Sequence, residues 1–252
     1  MKSIAIIGGT GLNQFPGATH SESIELDTPY GKPSGKIEKL TLASGAVHFL
    51  ARHGQPHNLP PHQINYQANI HALHQLGITD IIAVNAVGGI TDKAPTGCLS
   101  IPDQLIDYTW GRAHTYSQQE NNDPLLSVQH IDFSQPFNEE IRNALISQGK
   151  ALQLPIADSG TYAVTQGPRL ETAAEIAKYE RDGCDLVGMT AMPETALAKE
   201  LGIRYASVCL VVNPAAGKAD QEITMEDIRA VVDKGMQQVT TLITHTVSAL
   251  HA

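Results

Sequence analysis

The sequence predicts an α/β fold in which a single domain has a mixed or parallel central β-sheet covered by helices. Short apolar runs rich in β-branched residues alternate along the chain with segments of helical periodicity. Several runs are continuously apolar rather than alternating, which is typical of strands covered on both faces. No internal repeat, low-complexity linker or change of composition divides the 252 residues, so we expect one domain over residues 1–252.

The elements follow from these patterns in chain order. The apolar runs predict strands at residues 3–7, 47–51, 78–85, 104–108, 160–164, 185–189 and 204–212. Apolar residues at three- and four-residue spacing predict helices at 65–76, 137–152, 171–181, 194–201 and 225–249. The stretch 111–123 is polar and aperiodic, and it is expected to be an exposed loop inside the domain.

Composition and charge exclude several functional classes. The chain has 17 Lys and Arg against 26 Asp and Glu, and its net charge of −9 argues against non-specific nucleic-acid binding. No apolar stretch reaches the length that spans a membrane, and no secretory signal precedes the first strand, so we expect no membrane partner. Three widely spaced cysteines, with no C-x-x-C pair, favour reduced thiols, a cytoplasmic location and no metal site.

A glycine-rich turn at residues 8–12 directly follows the first predicted strand. Its glycines permit a tight turn whose N–H groups approach an anion, and Thr10 adds a hydroxyl group. The alternative is a dinucleotide fingerprint, which would make the protein an NAD-binding oxidoreductase, but that motif needs a glycine where the chain has Gln14. A turn that binds nothing is the third interpretation.

Polar or small residues also stand at the ends of four other predicted strands. They are Arg52 and His53, Asn85 and Ala86, Met189 and Thr190, and Asn213. Ligands of α/β proteins usually bind at such strand ends. Arg52 offers a fixed fork of donors that suits phosphate, and His53 offers a further donor. Each position alone also fits an ordinary turn or a surface ion pair, and Glu171 and Glu194 alone fit acids in the first turn of a helix.

Five motifs together resemble one enzyme family in order and spacing. They are G-G-T-G-L at 8–12, A-R-H-G at 51–54, N-Y-Q-A-N-I at 65–70, G-P-R-L-E-T at 167–172 and G-M-T-A-M-P-E at 188–194. Over almost its whole length the chain resembles the trimeric purine nucleoside phosphorylases and methylthioadenosine phosphorylases. The resemblance implies a single-domain α/β fold whose mixed central sheet is flanked by helices. It further implies a homotrimer with shared active sites and phosphorolysis of a nucleoside by inorganic phosphate. It also implies that no metal or other cofactor takes part.

The resemblance also assigns roles to individual residues. It implies that phosphate is bound by Thr10, Arg52, His53, Asn85, Ala86 and Thr190. It places the nucleoside against Met189, Asn213, Pro214 and Ala215. His130 resembles the residue that reaches the 5′ pocket of a neighbouring subunit. Bound phosphate both attacks C1′ of the sugar and balances its developing positive charge, so no side chain is needed as a covalent nucleophile.

Two residues predict the purine base and are the candidate catalytic groups. Adenosine-type members of the family carry an aspartate where this chain has Asn213. The amide can donate to O6 of a 6-oxopurine and accept from N7 once N7 is protonated. The carboxylate of Glu171 accepts only, so it fits the N1–H of hypoxanthine or guanine and not the N1 acceptor of adenine.

The 5′ end of the nucleoside is predicted from Met225, at the start of the last helix. Family members that act on ordinary nucleosides hold the 5′-hydroxyl with a histidine at this place, whereas Met225 is apolar and deformable and suits a methylthio group. The sequence therefore predicts S-methyl-5′-thioinosine as substrate, with inosine or guanosine as the alternative and methylthioadenosine less favoured. A purine-binding module without catalysis is a further alternative, and Met225 could also merely pack the helix start.

Overall fold

One mixed β-sheet organises the computed structural model, which describes residues 2–43, 45–117, 130–219 and 225–251. The strands within these residues are β1 (Ile4–Gly8), β2 (Thr19–Ile24), β3 (Ile37–Leu42), β4 (Gly45–Ala51), β5 (Asp80–Gly89), β6 (Leu99–Ser100), β7 (Gln104–Asp107), β8 (Ile156–Ala157), β9 (Thr161–Val164), β10 (Leu186–Gly188) and β11 (Arg204–Pro214). The helices are α1 (Tyr66–Gln75), α2 (Glu139–Ala151), α3 (Ala173–Arg181), α4 (Ala191–Glu200) and α5 (Met225–His251).

The pairing of the strands brings distant parts of the chain to one edge. Strand β1 lies between β4 and β5 and is parallel to both, and β11 pairs in parallel along the length of β5. Strand β10 runs antiparallel to the end of β5 and parallel to β9. The carboxyl ends of β1, β4, β5 and β11 therefore lie at the same edge of the sheet, where α/β proteins bind ligands.

Helices cover both faces of the sheet, which explains the continuously apolar strands. In β1, Ile4 and Ile6 belong to a core cluster shared with α2 and α5. The intervening Ala5 and Ile7 belong to a second cluster shared with α1 and α4. Successive side chains of a strand point to opposite faces, so a strand between two helical layers is apolar at every position.

The predicted fold class is confirmed: the sheet is mixed and helices flank it. All seven predicted strands and five predicted helices are present with shifted ends, but β2, β3, β6 and β8 were not predicted. Strand β3 alternates buried with more exposed residues, and β6 and β8 have two residues each, so none forms the apolar run that the prediction needs. No helix in the described part of the chain is long and apolar enough to cross a membrane.

The structure speaks against one alternative from the sequence and corrects one expectation. The glycine turn after β1 leads to strand β2 without an intervening helix, so the described chain lacks the βαβ unit of a dinucleotide fingerprint there. The stretch 111–123 is not simply an exposed loop, because Tyr116 within it is buried and Arg112 is half-buried. Residues 118–123 of that stretch lie outside the described residues.

Candidate active site

A cavity of about 340 Å³ lies at the shared edge of the sheet, a volume typical of small-molecule sites. Its lining includes all the residues predicted to bind phosphate: Thr10, Arg52, His53, Asn85, Ala86 and Thr190. It also includes Met189, Glu171, Asn213 and Ala215, which were predicted to contact the nucleoside. Residues from the first strand to the start of the last helix thus meet in one cavity. Among the described residues, no three His, Cys, Asp or Glu side chains group to hold a metal ion.

A second cavity, of about 850 Å³, lies between the loop at 92–98, strand β8 and helix α5. It is larger than the first, but none of the predicted site residues lines it. Size alone therefore does not identify the functional site, whereas converging polar groups do.

The glycine turn packs Gly9 against the side chain of Arg52, which follows β4. A Cβ atom on Gly9 would collide with the carbonyl oxygen of Val84 and would stand 2.9 Å from Nη1 of Arg52. Only glycine therefore permits this close approach of the turn to β5 and Arg52. Thr10 itself is exposed at the cavity, so its hydroxyl is available to an anion.

Arg52 is held by a carboxylate that is 142 positions distant in the chain. Its Nε and Nη2 atoms donate to the two carboxylate oxygens of Glu194, both at 2.7 Å, and Nη1 donates to the Val84 carbonyl at 2.8 Å. Both side chains are fully buried, and Tyr205 donates to the same carboxylate at 2.8 Å. Burial alone would lower the pKa of Arg52, but the Glu194 charge holds it above its ordinary value.

The ion pair determines what Arg52 can offer to an anion. Three of its five N–H groups are engaged by Glu194 and Val84, so two remain. The charges of Arg52 and Glu194 largely cancel. Attraction for an anion near Arg52 therefore depends on the direction of N–H and O–H dipoles more than on net charge. The interpretation of Glu194 as only an acid in a helix first turn is therefore insufficient.

A chain of buried hydrogen bonds orients the hydroxyl of Thr190, which caps α4. Ser207 Oγ donates to Asn85 Oδ1 at 2.6 Å, and Asn85 Nδ2 donates to Thr190 Oγ1 at 2.7 Å. Because Thr190 Oγ1 accepts from the amide, its own proton is free to point elsewhere. Thr190 lines the cavity, and the relay therefore makes its hydroxyl a donor to a bound anion.

His53 differs from the donor that the sequence predicts. Its Nδ1 lies 2.8 Å from the carbonyl oxygen of Leu59, which can only accept, so Nδ1 carries the proton. Burial, together with the positive charge of Arg52, lowers the pKa of His53 to about 4. At neutral pH the ring is uncharged and its Nε2 is an acceptor, suited to a protonated oxygen of phosphate.

The cavity lining also contains Glu171 and Asn213, the two residues predicted to recognise the base. Thr165 Oγ1 donates to Glu171 Oε1 at 2.6 Å, which fixes the carboxylate and leaves Oε2 for a ligand. Helix α3 begins at Ala173 with Thr172 as its cap, so Glu171 precedes the helix and is not in its first turn, where residues 171–181 were predicted helical. Asn213 Nδ2 donates to the Pro214 carbonyl at 2.6 Å, and one N–H and the amide oxygen remain.

Two predicted nucleoside contacts, Pro214 and His130, do not line the cavity in the described structure. Pro214 instead accepts the hydrogen bond from Asn213 with its carbonyl oxygen. His130 is exposed and lies outside the lining of its own chain. Met225 begins α5, but its side chain lies outside the described structure. Leu170, 56% exposed, does line the cavity next to Glu171.

Sequence reasoning missed the residues that support the site from behind. Three of them lie on or next to buried strands: Thr165, Ser207 and Tyr205. The only signal in the sequence was a polar side chain within an apolar run, because buried polar groups need hydrogen-bond partners. Arg112 lies in the polar stretch that was predicted to be an exposed loop. Its hydrogen bonds reach the carbonyls of Gln166 and Met189, at 2.8 Å each, in the two loops that carry Glu171 and Thr190.

Comparison with known proteins agrees with this arrangement. The chain is 52% identical to a protein of Pseudomonas syringae pv. tomato named probable S-methyl-5′-thioinosine phosphorylase, covering 99% of this chain and 100% of that protein. It is 43% identical to a 6-oxopurine nucleoside phosphorylase of Pyrococcus furiosus, covering 96% of this chain and 91% of the other.

A structural relative and a family model extend the comparison. The methylthioadenosine phosphorylase of Schistosoma mansoni in complex with adenine superimposes with a TM-score of 0.94 at 29% identity, covering 100% of this chain and 92% of the other. The family model described as the phosphorylase superfamily matches residues 3–248. Together with the strand-end cavity and its polar lining, this match shows that the chain belongs to the phosphorylase superfamily.

Proposed function

We propose that this protein is a purine nucleoside phosphorylase that cleaves S-methyl-5′-thioinosine with inorganic phosphate, giving hypoxanthine and 5-(methylthio)ribose 1-phosphate. One observation carries the proposal: a single cavity holds a carboxylate fixed by Thr165 at one end and a group of anion-binding donors at the other. The relative from Pseudomonas syringae bears the matching name, over the full length of both chains.

The base end favours a 6-oxopurine. Oε2 of Glu171 accepts from the N1–H of hypoxanthine, while Thr165 holds Oε1. The free N–H of Asn213 donates to O6, and its amide oxygen accepts from N7 as the leaving purine takes up a proton. Adenine presents an acceptor at N1, so it would leave the Glu171 carboxylate unpaired.

The anion end positions phosphate as the nucleophile. Thr10 and Thr190 donate hydroxyl protons, Arg52 contributes its two remaining N–H groups, and neutral His53 accepts from a protonated phosphate oxygen. A phosphate oxygen attacks C1′ while the bond from C1′ to the purine breaks, and the negative phosphate stabilises the oxocarbenium character of the sugar. The reaction as proposed uses phosphate as co-substrate and needs no metal or other cofactor.

The 5′-methylthio preference rests on residue type. Met225 begins α5, whose Ile228 lines the cavity, so the start of this helix borders the site. A methionine there disfavours a hydroxyl, because burying a hydroxyl without a partner costs about 1–3 kcal/mol. The alternative, an inosine or guanosine phosphorylase, is favoured by the 43% identity to the 6-oxopurine enzyme.

The assembly is proposed to be a homotrimer with shared active sites. His130 is exposed and remote from the cavity lining of its own chain, which supports a role in the 5′ pocket of a neighbouring subunit. Light scattering after gel filtration should give the mass of three chains, and a monomer with full activity would contradict the proposal. A cytoplasmic location is part of the same proposal and follows the expected reduced state of the three cysteines.

The decisive experiment compares kcat/KM for S-methyl-5′-thioinosine, inosine and methylthioadenosine at one saturating phosphate concentration. We expect S-methyl-5′-thioinosine to be the best substrate and cleavage to cease without phosphate. A preference for inosine would leave Met225 as a packing residue, and a preference for methylthioadenosine would contradict the roles of Asn213 and Glu171. Binding of hypoxanthine without cleavage of any nucleoside would indicate a binding module.

A further inference from the structure

Arg112 connects two loops that both line the active-site cavity. Its Nη1 donates to the carbonyl oxygens of Met189 at 2.8 Å and Met192 at 2.6 Å. Its Nη2 donates to the carbonyl of Gln166 at 2.8 Å, and its Nε donates to the Oε1 atom of the same residue at 3.1 Å. Weaker contacts at 3.3 Å reach Thr165 O and the hydroxyl of Tyr66. The whole guanidinium group is therefore occupied by the two loops and α1.

These two loops carry the groups that bind different parts of the substrates. They leave the neighbouring parallel strands β9 and β10 at the same level, because Val164 pairs with Gly188. The first loop runs from Thr165 to Glu171 at the base end, and the second contains Met189 and Thr190 at the ribose and phosphate end. Backbone carbonyls from both loops converge on one cation, so the guanidinium sets their separation.

Arg112 also differs in charge from the arginine that lines the cavity. Arg52 is paired with Glu194, but no carboxylate of the described residues forms a salt bridge with Arg112, whose partners are neutral oxygens. Burial lowers the pKa of Arg112, yet an arginine stays protonated at neutral pH. Among the described residues its positive charge therefore has no ion-pair partner, although the negative charge of Asp107 favours the protonated form.

We propose that Arg112 is a positioning residue for phosphorolysis. It holds the loop from Thr165 to Glu171, which binds the base, in a fixed position relative to the loop with Thr190, which binds ribose and phosphate. It touches neither substrate, since it does not line the cavity. Its removal frees both loops together, so it affects recognition of the base and of phosphate at once. The inference rests on the proposed function only in taking the cavity as the site of nucleoside and phosphate.

The test uses Arg112→Ala and addition of guanidinium ion at millimolar, non-denaturing concentration. Because small displacements of catalytic groups are costly, we expect kcat/KM to fall by about 100-fold, with KM raised for both nucleoside and phosphate. Guanidinium that enters the vacated space should restore much of the loss, whereas sodium at equal ionic strength should not. Arg181→Ala, on the exposed end of α3, is the matched control and should behave as wild type in both conditions.

Binding provides a second readout that needs no turnover. Calorimetry should show about tenfold weaker hypoxanthine binding in Arg112→Ala, with recovery in guanidinium. Arg112→Lys is a second variant in case Arg112→Ala does not fold. The three donors of an ammonium group cannot reach the carbonyls of both loops, so the KM values for nucleoside and for phosphate should still rise. Wild-type constants in either variant, or a loss that guanidinium does not restore in a folded protein, would overturn the inference. An inactive wild type would contradict the proposed function alone, because the binding comparison would still test Arg112.

Discussion

Replacing Glu171 by glutamine should turn the base preference toward adenine. In the structure, Thr165 donates to Oε1 and leaves Oε2 facing the ligand. A glutamine that keeps its carbonyl on Thr165 presents an NH₂ group at the other position. This donor opposes the N1–H of hypoxanthine but fits the N1 acceptor of adenine. If the amide turns round, it still accepts from hypoxanthine, but without the assistance of a negative charge.

The size of the effect follows from these pairings. Losing the charge-assisted bond should cost the 6-oxopurine about 1.5 kcal/mol, and adenine should gain about 1.5 kcal/mol because it no longer faces an unpaired carboxylate. The two changes add to about 3 kcal/mol in the ratio of the substrates, which is about 100-fold at 1.4 kcal/mol per factor of ten. The contribution of Asn213 is the same in both proteins and cancels from this comparison.

The assay is the ratio of kcat/KM for methylthioadenosine to that for S-methyl-5′-thioinosine, at saturating phosphate, in wild type and Glu171→Gln. Thr165→Val is the informative companion, because it loosens the carboxylate without adding a donor and should lower both constants slightly. Glu180→Gln, an exposed carboxylate on α3, should leave the ratio unchanged. A ratio in Glu171→Gln within threefold of wild type would refute the role of Glu171 in recognition of N1.

Other parts of the site give further predictions. The pKa of His53 is about 4 in the folded protein against 6.5 as its ordinary value, so only the unfolded state takes up this proton between those values. The free energy of unfolding should therefore fall by about 3 kcal/mol as the pH drops from 6.5 to 4, and urea titrations of His53→Gln should show a smaller fall. Glu194→Leu should lose about 3–5 kcal/mol of stability by leaving Arg52 buried and unpaired, and the double variant with Arg52→Met should recover most of it in the same titration. If the double variant were as unstable as Glu194→Leu alone, the result would contradict the idea that Glu194 stabilises the protein by neutralising Arg52. Met225→His should shift the kcat/KM ratio toward inosine over S-methyl-5′-thioinosine, and an unchanged ratio would leave Met225 as packing alone.

Much of the fold could be predicted because its signals are local. Strands β1, β5 and β11 are buried on both faces, and such strands need apolar residues at successive positions, which gives a continuous apolar run in the sequence. Strands β2 and β3 escaped prediction because they form a hairpin at the sheet border, where β3 needs apolar residues on one face only. The two-residue strands β6 and β8 are defined only by pairing with distant partners, which no local pattern records.

The candidate site could be predicted in its cavity-lining residues but not in their supports. Thr10 stands between two glycines, Arg52 follows a strand, and Glu171 lies in the G-P-R-L-E-T motif, so position or motif marks each of them. Glu194 ends the motif at 188–194, but nothing in that motif shows that its carboxylate neutralises Arg52. The polarity of the stretch around Arg112 suggested solvent exposure, although the guanidinium donates to carbonyls of two loops that line the cavity.

The sequence by itself determined the fold class, the family and a set of candidate residues, most of which line one cavity. It could do so because burial and strand-end glycines constrain residues close together in the chain. Only the tertiary structure decided how each group is presented: Arg52 with its charge cancelled, His53 as an acceptor, Thr190 as a donor and Glu171 with one oxygen already taken. These properties arise from hydrogen bonds between residues that are distant in the chain and that the strand register and the loops bring together. Arg52 and Glu194, for example, are 142 positions apart in the sequence.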